Sequence, residues 1–155
     1  MLVRILVAGL LPLFVSMAAQ AQTACSCGGT RVTGNALQTL LANRTVCAAA
    51  GNESWQEFHS GNGSGPLIDW KRGPNDPVDP SETVGSWSLT ANQVSYNYGS
   101  GGTYHYDVCV AANSIVNFCG ASRNITGATL RQGQVSCSAS TPVPLAVNGG
   151  QVTTR

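Results

Sequence analysis

Apolar and polar residues alternate with a period of two along most of the chain from Arg44 onward. The alternating runs are short, rich in β-branched and aromatic residues, and separated by Gly, Asn, Ser and Pro, which is typical of antiparallel strands joined by tight turns. The pattern predicts eight strands, at Thr45–Ala49, Ser54–Ser60, Leu67–Arg72, Gly85–Thr90, Gln93–Gly99, Thr103–Ala111, Ile115–Gly120 and Ala128–Cys137. The fold class is therefore expected to be all-β.

Three segments depart from this pattern. Asn35–Ala42 has three leucines at helical spacing behind a capping residue, and it predicts one short N-terminal helix that packs as a lid or plug. Three prolines interrupt Gly73–Thr83 and predict the longest internal loop, which carries Asp76 and Asp79. Residues 138–155 contain few large apolar groups and are expected to form a flexible C-terminal tail.

The positions of two turns predict the register of two hairpins. A turn centred on Gly63 pairs Glu57 with Asp69, His59 with Leu67, Phe58 with Ile68, Gln56 with Trp70 and Trp55 with Lys71. A turn centred on Gly101 gives an aromatic face that pairs Tyr98 with Tyr104, Tyr96 with Tyr106 and Val94 with Val108. Its other face is polar and pairs Asn97 with His105 and Ser95 with Asp107.

Eight short antiparallel strands leave exposed edges unless they close into a barrel or pack as two sheets. We favour a small up-and-down β-barrel of about eight strands, with a β-sandwich as the alternative. Gly85-Ser86-Trp87 resembles the Gly-x-Trp strand of the lipocalin and avidin group of small ligand-binding barrels. The resemblance covers three residues and implies a barrel architecture, and no binding residue is transferred from it.

The first residues have the three parts of a secretory signal: Arg4, the apolar run from Ile5 to Val15, and the small residues Ala19-Gln20-Ala21. Cleavage after Ala21 would make residues 1–21 a signal peptide of bacterial type and residues 22–137 a single periplasmic or secreted domain. The apolar run is shorter than the roughly 20 residues of a membrane-spanning helix, so no membrane insertion is expected.

Removal of Arg4 changes the formal net charge from +1 to zero, because seven basic residues then face seven acidic ones. A neutral domain has no field that attracts nucleic acid, so no nucleic-acid partner is expected. The Gly-rich segments fall in hairpin turns with no helix after them, which argues against a phosphate-binding loop. We expect no cofactor.

Six cysteines follow the signal and predict a disulfide-stabilised domain in an oxidising compartment. They are Cys25, Cys27, Cys47, Cys109, Cys119 and Cys137. A hairpin centred on Ser114 would place Cys109 and Cys119 directly opposite each other, where a cross-strand bond is plausible. The two N-terminal cysteines would then be bonded to Cys47 and Cys137. A thiolate metal site is the alternative, but the chain has no Cys-x-x-Cys, so no metal site is expected.

Glu57 and Asp69 are the sharpest candidates for chemistry. Two opposed carboxylates raise the pKa of one of them, as acid–base catalysis or cation binding requires, and His59 lies on the same strand face. The alternative is a solvent-facing strand on which Lys71 and Arg72 neutralise the pair. A register slip of one residue would also remove the opposition.

His105 and Asp107 share a strand face and could join His59 as metal ligands or as a proton relay, although surface or hydrogen-bonding roles are the alternative. The chain has no Gly-x-Ser-x-Gly elbow, and its cysteines are expected to be oxidised, so we predict no nucleophilic enzyme. The tryptophans and tyrosines could bind a sugar or an apolar ligand, or could only pack the core.

The leading hypothesis is a non-enzymatic, exported bacterial β-barrel that binds a small apolar or sugar-like molecule or a surface partner. Its candidate binding residues are Trp55, Glu57, His59, Asp69, Trp87, Tyr96 and His105. The second hypothesis is a self-assembling structural subunit of an extracellular assembly, which the low charge and the Gly-, Asn-, Ser- and Thr-rich surface also suit. The third is a hydrolase that uses Glu57 and Asp69.

Overall fold

The computed structural model describes residues 28–51, 53–69, 81–138, 140–148 and 151–154. These ranges contain one α-helix, α1 (Gly34–Leu41), and eleven strands. The strands are β1 (Thr30–Val32), β2 (Arg44–Ala50), β3 (Glu53–His59), β4 (Ser64–Asp69), β5 (Glu82–Leu89), β6 (Val94–Asn97), β7 (Thr103–Val110), β8 (Val116–Gly120), β9 (Asn124–Gln132), β10 (Leu145–Asn148) and β11 (Gln151–Thr154). The prediction of a mostly β chain with one short helix is confirmed.

Strands β2 to β9 form a closed antiparallel barrel of eight strands. Each strand pairs with the next one along the chain, and β9 pairs back with β2, where Cys47 lies opposite Thr129. Strand β1 extends the sheet beside β7, where Val32 lies opposite Val108. The predicted up-and-down barrel is therefore confirmed over the alternative of a sandwich.

The interior of the barrel is an apolar core built by the two-residue alternation. On β6, Val94 and Tyr96 point inward and are buried, whereas Asn97 is exposed. Buried side chains from the other strands join the same core: Val46, Leu67, Trp87, Val108, Phe118 and Leu130. Removal of these apolar surfaces from water is the main stabilising contribution.

Helix α1 packs over one end of the barrel, which we call the helix end. Its three leucines are buried in the core. The Gly34 N–H donates to Ala91 O in the β5–β6 turn at 2.7 Å, and the Gln38 amide donates to Asn62 Oδ1 in the β3–β4 turn at 2.9 Å. The helix begins at Gly34 and has no side-chain cap. The predicted Asn35 cap is therefore wrong.

The opposite end, the loop end, is formed by the β2–β3, β4–β5, β6–β7 and β8–β9 connections. Residues 70–80 of the β4–β5 connection lie outside the described residues. The predictions for Trp70, Lys71, Arg72 and the Pro-rich loop fall there. The predicted signal peptide, Cys25 and Cys27 also lie outside the described residues.

The register of the β3–β4 hairpin is as predicted. The observed pairs are Glu57 with Asp69, Phe58 with Ile68 and His59 with Leu67. The two carboxylates therefore lie opposite each other on one face of the sheet.

The register of the β6–β7 hairpin differs from the prediction by two residues. The observed pairs are Val94 with Tyr106, Ser95 with His105, Tyr96 with Tyr104 and Asn97 with Thr103. The predicted partners of these residues are wrong because a 3₁₀ turn at Gly99–Gly101 moves the centre of the hairpin one residue back. A two-residue shift leaves every side chain on the same face, so the aromatic face persists.

Cys47 and Cys137 form a disulfide with a Cα–Cα distance of 5.8 Å. The prediction that they bond to the N-terminal cysteines is therefore wrong. After β9 the chain turns back over the outside of the barrel, where the Cys137 N–H donates to Gln56 Oε1 at 2.8 Å. Thr45 Oγ1 donates to Gly133 O at 2.7 Å in the same segment. These contacts bring Cys137 beside β2.

The β7–β8 register does not place Cys109 and Cys119 directly opposite each other. Cys109 lies opposite Asn117, and Cys119 lies opposite Asp107. The intervening turn contains Asn113 with φ 57°, and it is centred one residue earlier than assumed. Both cysteines are buried in one cluster, and each of them takes part in a disulfide bond. The direct opposition on which the Cys109–Cys119 prediction rested is absent.

The predicted C-terminal tail contains regular structure, because β10 and β11 pair as an antiparallel hairpin. Leu145 and Val147 pack against the main core. The Leu145 N–H donates to Ser114 Oγ at 2.7 Å, and the Val143 N–H donates to Leu130 O at 2.8 Å.

Within the described ranges, no helix is long and apolar enough to cross a membrane.

Candidate ligand-binding site

Glu57 is a carboxylate buried inside the barrel. The alternation along β3 places it on the same face as Trp55 and His59, and 9% of its surface is exposed. The Tyr98 hydroxyl lies 2.9 Å from Oε1 and 3.0 Å from Oε2 of Glu57, so it can donate to either oxygen. One hydroxyl proton satisfies only part of the accepting capacity of a carboxylate. Glu57 can therefore accept from a further donor.

Burial raises the pKa of Glu57 to about 7, because desolvation disfavours the ionised carboxylate. The hydrogen bond from Tyr98 lowers this pKa, and the negative charge of Asp69 raises it. Among the described residues, no cation contributes to the shift. Glu57 therefore exchanges its proton near neutral pH.

His59 lies deeper in the barrel and is completely buried. Its ring makes edge contacts with Trp87 and Tyr96, at centroid distances of 4.9 and 5.4 Å. Its Nε2 lies 2.8 Å from the Tyr96 hydroxyl. Burial lowers the pKa of His59 to about 4, although nearby backbone carbonyls of Arg44 and Glu57 oppose this shift. The imidazole is therefore neutral at physiological pH.

The second nitrogen of His59 has no hydrogen-bond partner among the described residues. The backbone carbonyls of Arg44 and Glu57 lie close enough to affect the pKa of His59, but neither has hydrogen-bond geometry with Nδ1. A neutral imidazole that accepts from the Tyr96 hydroxyl at Nε2 carries its proton on Nδ1. A buried N–H without a partner costs free energy.

Four tyrosines, Tyr96, Tyr98, Tyr104 and Tyr106, form a tyrosine cluster that continues from Glu57 toward the loop end. The ring centroids of Tyr96 and Tyr98 are 6.4 Å apart, those of Tyr98 and Tyr104 are 6.0 Å apart, and those of Tyr96 and Tyr106 are 5.9 Å apart. Tyr104 is 38% exposed. The cluster therefore connects the buried carboxylate with solvent.

Trp87 lies in the core of the barrel. Its indole N–H donates to Ser60 O at 2.8 Å, and 1% of its surface is exposed. A Cβ at Gly85 would lie 2.3 Å from the backbone oxygen of Asn97 on the neighbouring strand. The absence of a side chain at Gly85 therefore allows β5 and β6 to lie close together, and Trp87 on the same strand fills the core.

His105 lies apart from the other predicted binding residues. It is exposed on the outer face of β7, where its Nδ1 is 2.7 Å from Ser95 Oγ. Asp107 accepts from Arg31 at 2.6 Å and from Gln93 at 3.1 Å. His59 points inward, so the structure does not bring these two histidines together. In the described part of the chain, no three His, Cys, Asp or Glu side chains are grouped to hold a metal ion.

The remaining predicted residues share the interior face with Glu57. Asp69 lies opposite Glu57, and Tyr96 contacts His59. Trp55 is half-buried nearer the loop end, where the Arg123 guanidinium lies 4.7 Å from the centre of its ring. The structure therefore gathers most of the predicted set on one face of β3 and its neighbours.

The sequence-based set of binding residues omitted three members of the tyrosine cluster, Tyr98, Tyr104 and Tyr106. Their alternation around the Gly-rich turn after β6 already placed them on the aromatic face. The contact of Tyr98 with Glu57 joins β3 to the residue that follows β6, and these two strands are not neighbours in the sheet. Hairpin arithmetic covers only neighbouring strands, so this contact could not be read from the sequence.

The fold defines the class of protein as a small antiparallel β-barrel with disulfides, an architecture compatible with that of the lipocalins and avidins. Comparison with protein-family models, curated proteins and solved structures finds no match.

Proposed function

We propose that this protein is an exported, non-enzymatic binding module that takes a small molecule into the loop end of its barrel. The supporting observation is Glu57, a buried carboxylate whose described hydrogen-bond donor is a single hydroxyl. A buried carboxylate without a cation destabilises a fold, and such groups cluster at functional sites. A ligand that donates to Glu57 would offset this cost.

The surroundings of Glu57 suit a ligand with both flat and polar faces. The tyrosine cluster offers aromatic faces for apolar groups, and the two opposed carboxylates accept hydrogen bonds. Tyr104 at the loop end provides a solvent-accessible edge. The proposal therefore places the ligand between Tyr104 and Glu57, above the core around Trp87.

Ligand-observed NMR with a fragment panel of sugars, amines and small aromatics tests this proposal. We expect binders for the mature, oxidised protein, weakened at least tenfold by Glu57→Gln and by Tyr104→Ala. His105→Gln is the matched control, because His105 lies on the outer face of the barrel. Binding that persists unchanged in both interior variants would place the site elsewhere and contradict the proposal.

Size-exclusion chromatography with light scattering separates the binding module from a self-assembling subunit. The binding module is expected to elute as a monomer or a small oligomer. High-mass or fibrous material from the mature, oxidised protein would favour the structural subunit instead.

A hydrolase is a second candidate function, because Glu57 has the raised pKa of a general acid and Asp69 lies opposite it. Inverting and retaining glycosidases both use two such carboxyl groups. Hydrolysis of a chromogenic glycoside panel by the wild-type protein, abolished by Glu57→Gln and retained by His105→Gln, would favour this function.

A further inference from the structure

Cys109 and Cys119 lie on the outer face of the barrel, and yet they are buried. Their neighbours along β7 and β8, Val108 and Phe118, belong to the core, so the alternation of the strands directs both cysteines outward. Cys109 is 0% exposed and Cys119 is 8% exposed. A fully buried side chain on the outside of a barrel strand indicates that another part of the chain covers this face.

The chain enters β1 from the same covered face. Asn117, which lies opposite Cys109, donates from its amide to Gly28 O at 3.4 Å. Gly28 and Gly29 have φ values of 80° and 95°, which favour glycine and turn the chain sharply before β1. A Cβ at Gly29 would lie 2.6 Å from a backbone oxygen of β7, so the chain lies close to that strand. Cys27 immediately precedes Gly28 and can therefore reach the two buried cysteines.

Arg31 gives an independent sign that a segment of chain covers this face. It lies opposite Cys109 across the β1–β7 pair, and its guanidinium donates to Asp107 at 2.6 Å. Its Nε is buried and has no hydrogen-bond partner among the described residues. A buried N–H without an acceptor costs free energy. The backbone carbonyls of a segment that lies over this face would supply the acceptor.

The strand register disfavours a bond between Cys109 and Cys119. Cys109 lies opposite Asn117, and Cys119 lies opposite Asp107, so the two cysteines are diagonal neighbours. Diagonal positions of an antiparallel pair are ~7–8 Å apart. Two cysteines whose Cα atoms are more than about 7 Å apart cannot be bridged unless the backbone moves. Because each of the two takes part in a disulfide bond, each needs another partner.

Cys25 and Cys27 are the cysteines that remain as partners. The chain has six cysteines, and Cys47 and Cys137 are bonded to each other. Residues two apart in an extended segment lie on one face, about 7 Å from each other. The diagonal pair on β7 and β8 has a similar separation. The Cys-Ser-Cys spacing therefore suits two bonds that lie side by side.

We propose that Cys25 and Cys27 bond to Cys109 and Cys119, so that the segment before Gly28 is a covalent strap across the outer face of β7 and β8. Each bond forms when two thiols lose two electrons and two protons to an oxidising disulfide, which is thereby reduced to two thiols. The strap covers the buried cysteines and holds β1 against β7. It is independent of the proposed binding site, which lies inside the barrel.

Peptide mapping of the oxidised protein tests the strap, because trypsin separates the cysteines into different peptides. The N-terminal peptide that ends at Arg31 contains Cys25 and Cys27, and the others of interest are 73–123, 45–71 and 132–155. After denaturation and alkylation without reduction, we expect the N-terminal peptide joined to 73–123, and 45–71 joined to 132–155. An N-terminal peptide that is not joined to 73–123, or that is joined to a second copy of itself, would overturn the strap.

The double variant Cys25→Ser with Cys27→Ser tests the geometry of the remaining pair. We expect alkylation of the denatured, non-reduced variant to label both Cys109 and Cys119, whereas wild type and the control variant Ser26→Ala should show no labelled thiol. A variant without labelled thiols would show that the diagonal pair closes on itself, and would contradict the strap.

Hydrogen exchange of the same double variant tests whether the strap holds β1. The amides of Thr30 and Val32 should exchange at least about tenfold faster than in wild type, because β1 is then held by its pairing with β7 alone. The amides of β5 and β6 should be unaffected, and so should every amide of Ser26→Ala. Unchanged exchange in β1 would contradict a strap that holds this strand.

Discussion

Glu57 and His59 lie two residues apart on one strand, and burial shifts their pKa values in opposite directions. Each group loses its charge inside the barrel, so the pKa of the acid rises to about 7 and that of the base falls to about 4. Both groups are therefore mainly neutral in the folded protein at mildly acidic pH. Their contributions to stability depend on pH with opposite signs.

Glu57→Gln should stabilise the protein relative to wild type as the pH rises. The stability contribution of wild-type Glu57 is fully present below pH 4.5 and is lost as the pH rises through about 7, because the unfolded carboxyl ionises first. The unfolding free energy of the variant minus that of wild type should therefore increase by about 3 kcal/mol from pH 4 to pH 8. Urea denaturation at each pH measures this difference in unfolding free energy. A difference that stays constant between pH 4 and pH 8 would show that the pKa of Glu57 is not raised in the folded protein.

His59→Gln should have the opposite pH dependence. The contribution of wild-type His59 is present above pH 6.5 and is lost as the pH falls through about 4, since the unfolded imidazole is protonated first. Relative to wild type, the variant should gain about 3 kcal/mol between pH 7 and pH 4. Acid denaturation curves give this difference, and His105→Gln on the outer face serves as the control.

Period-two alternation was sufficient to place individual residues on the correct face of their strands. It put Glu57 opposite Asp69 and the tyrosines on one aromatic face. It could not show that the face of Glu57 points into the barrel, because charged residues on alternating strands normally face solvent. The burial of Glu57 follows from barrel closure, which depends on strands far apart in sequence.

At the scale of the elements, turn geometry explains the errors in register. A 3₁₀ turn follows β6, and in the turn after β7 Asn113 and Ser114 have positive φ values of 57° and 61°. Non-glycine residues in this region are uncommon, so their positions are hard to predict from residue type. The Gly63 turn was centred correctly, and its hairpin was predicted pair by pair.

Gly85→Ala should destabilise the contact between β5 and β6. An added Cβ would lie 2.3 Å from Asn97 O, which belongs to the backbone and cannot move as a side chain can. We expect a loss of about 1–3 kcal/mol in unfolding free energy, the usual cost of overpacking. Thermal unfolding measures it, with Ser86→Ala as the neighbouring control because Ser86 is exposed. Equal stability of the two variants would show that the strands can separate at no cost.

The C-terminal hairpin shows where element prediction from the sequence reached its limit. Strands β10 and β11 have four residues each and lie among Pro, Ser and Gly residues. Isolated hairpins of this size are marginally stable, so local pattern alone does not indicate them. Packing of Leu145 and Val147 on the core and the hydrogen bond from Leu145 to Ser114 stabilise the hairpin.

At the scale of the whole molecule, the sequence was sufficient to predict an up-and-down barrel but not its covalent closure. The number and spacing of the strands indicate closure, because an open sheet would leave two edges exposed. The Cys47–Cys137 bond depends on the path that the chain takes after β9. Six cysteines allow many pairings, and spacing does not choose among them.

Replacement of both Cys47 and Cys137 by Ala should lower the unfolding free energy by about 4 kcal/mol. The bond joins residues that are 90 positions apart, so it restricts a large loop of the unfolded chain. Urea denaturation of the oxidised variant and wild type measures the loss. A loss below about 1 kcal/mol would show that the unfolded chain is already constrained near this bond.

The pairing of β2 with β9 also sets the order in which the molecule can be completed. When the chain is synthesised from its N-terminus, β2 is made early. Its partner β9, which closes the barrel, is complete only after Gln132 has been added. Until then the growing sheet has two unpaired edges, which favour association with other chains. Folding before synthesis is complete would prolong this exposure. The barrel is therefore best folded as a finished chain, with oxidation of Cys47 and Cys137 after the first and last strands of the barrel have met.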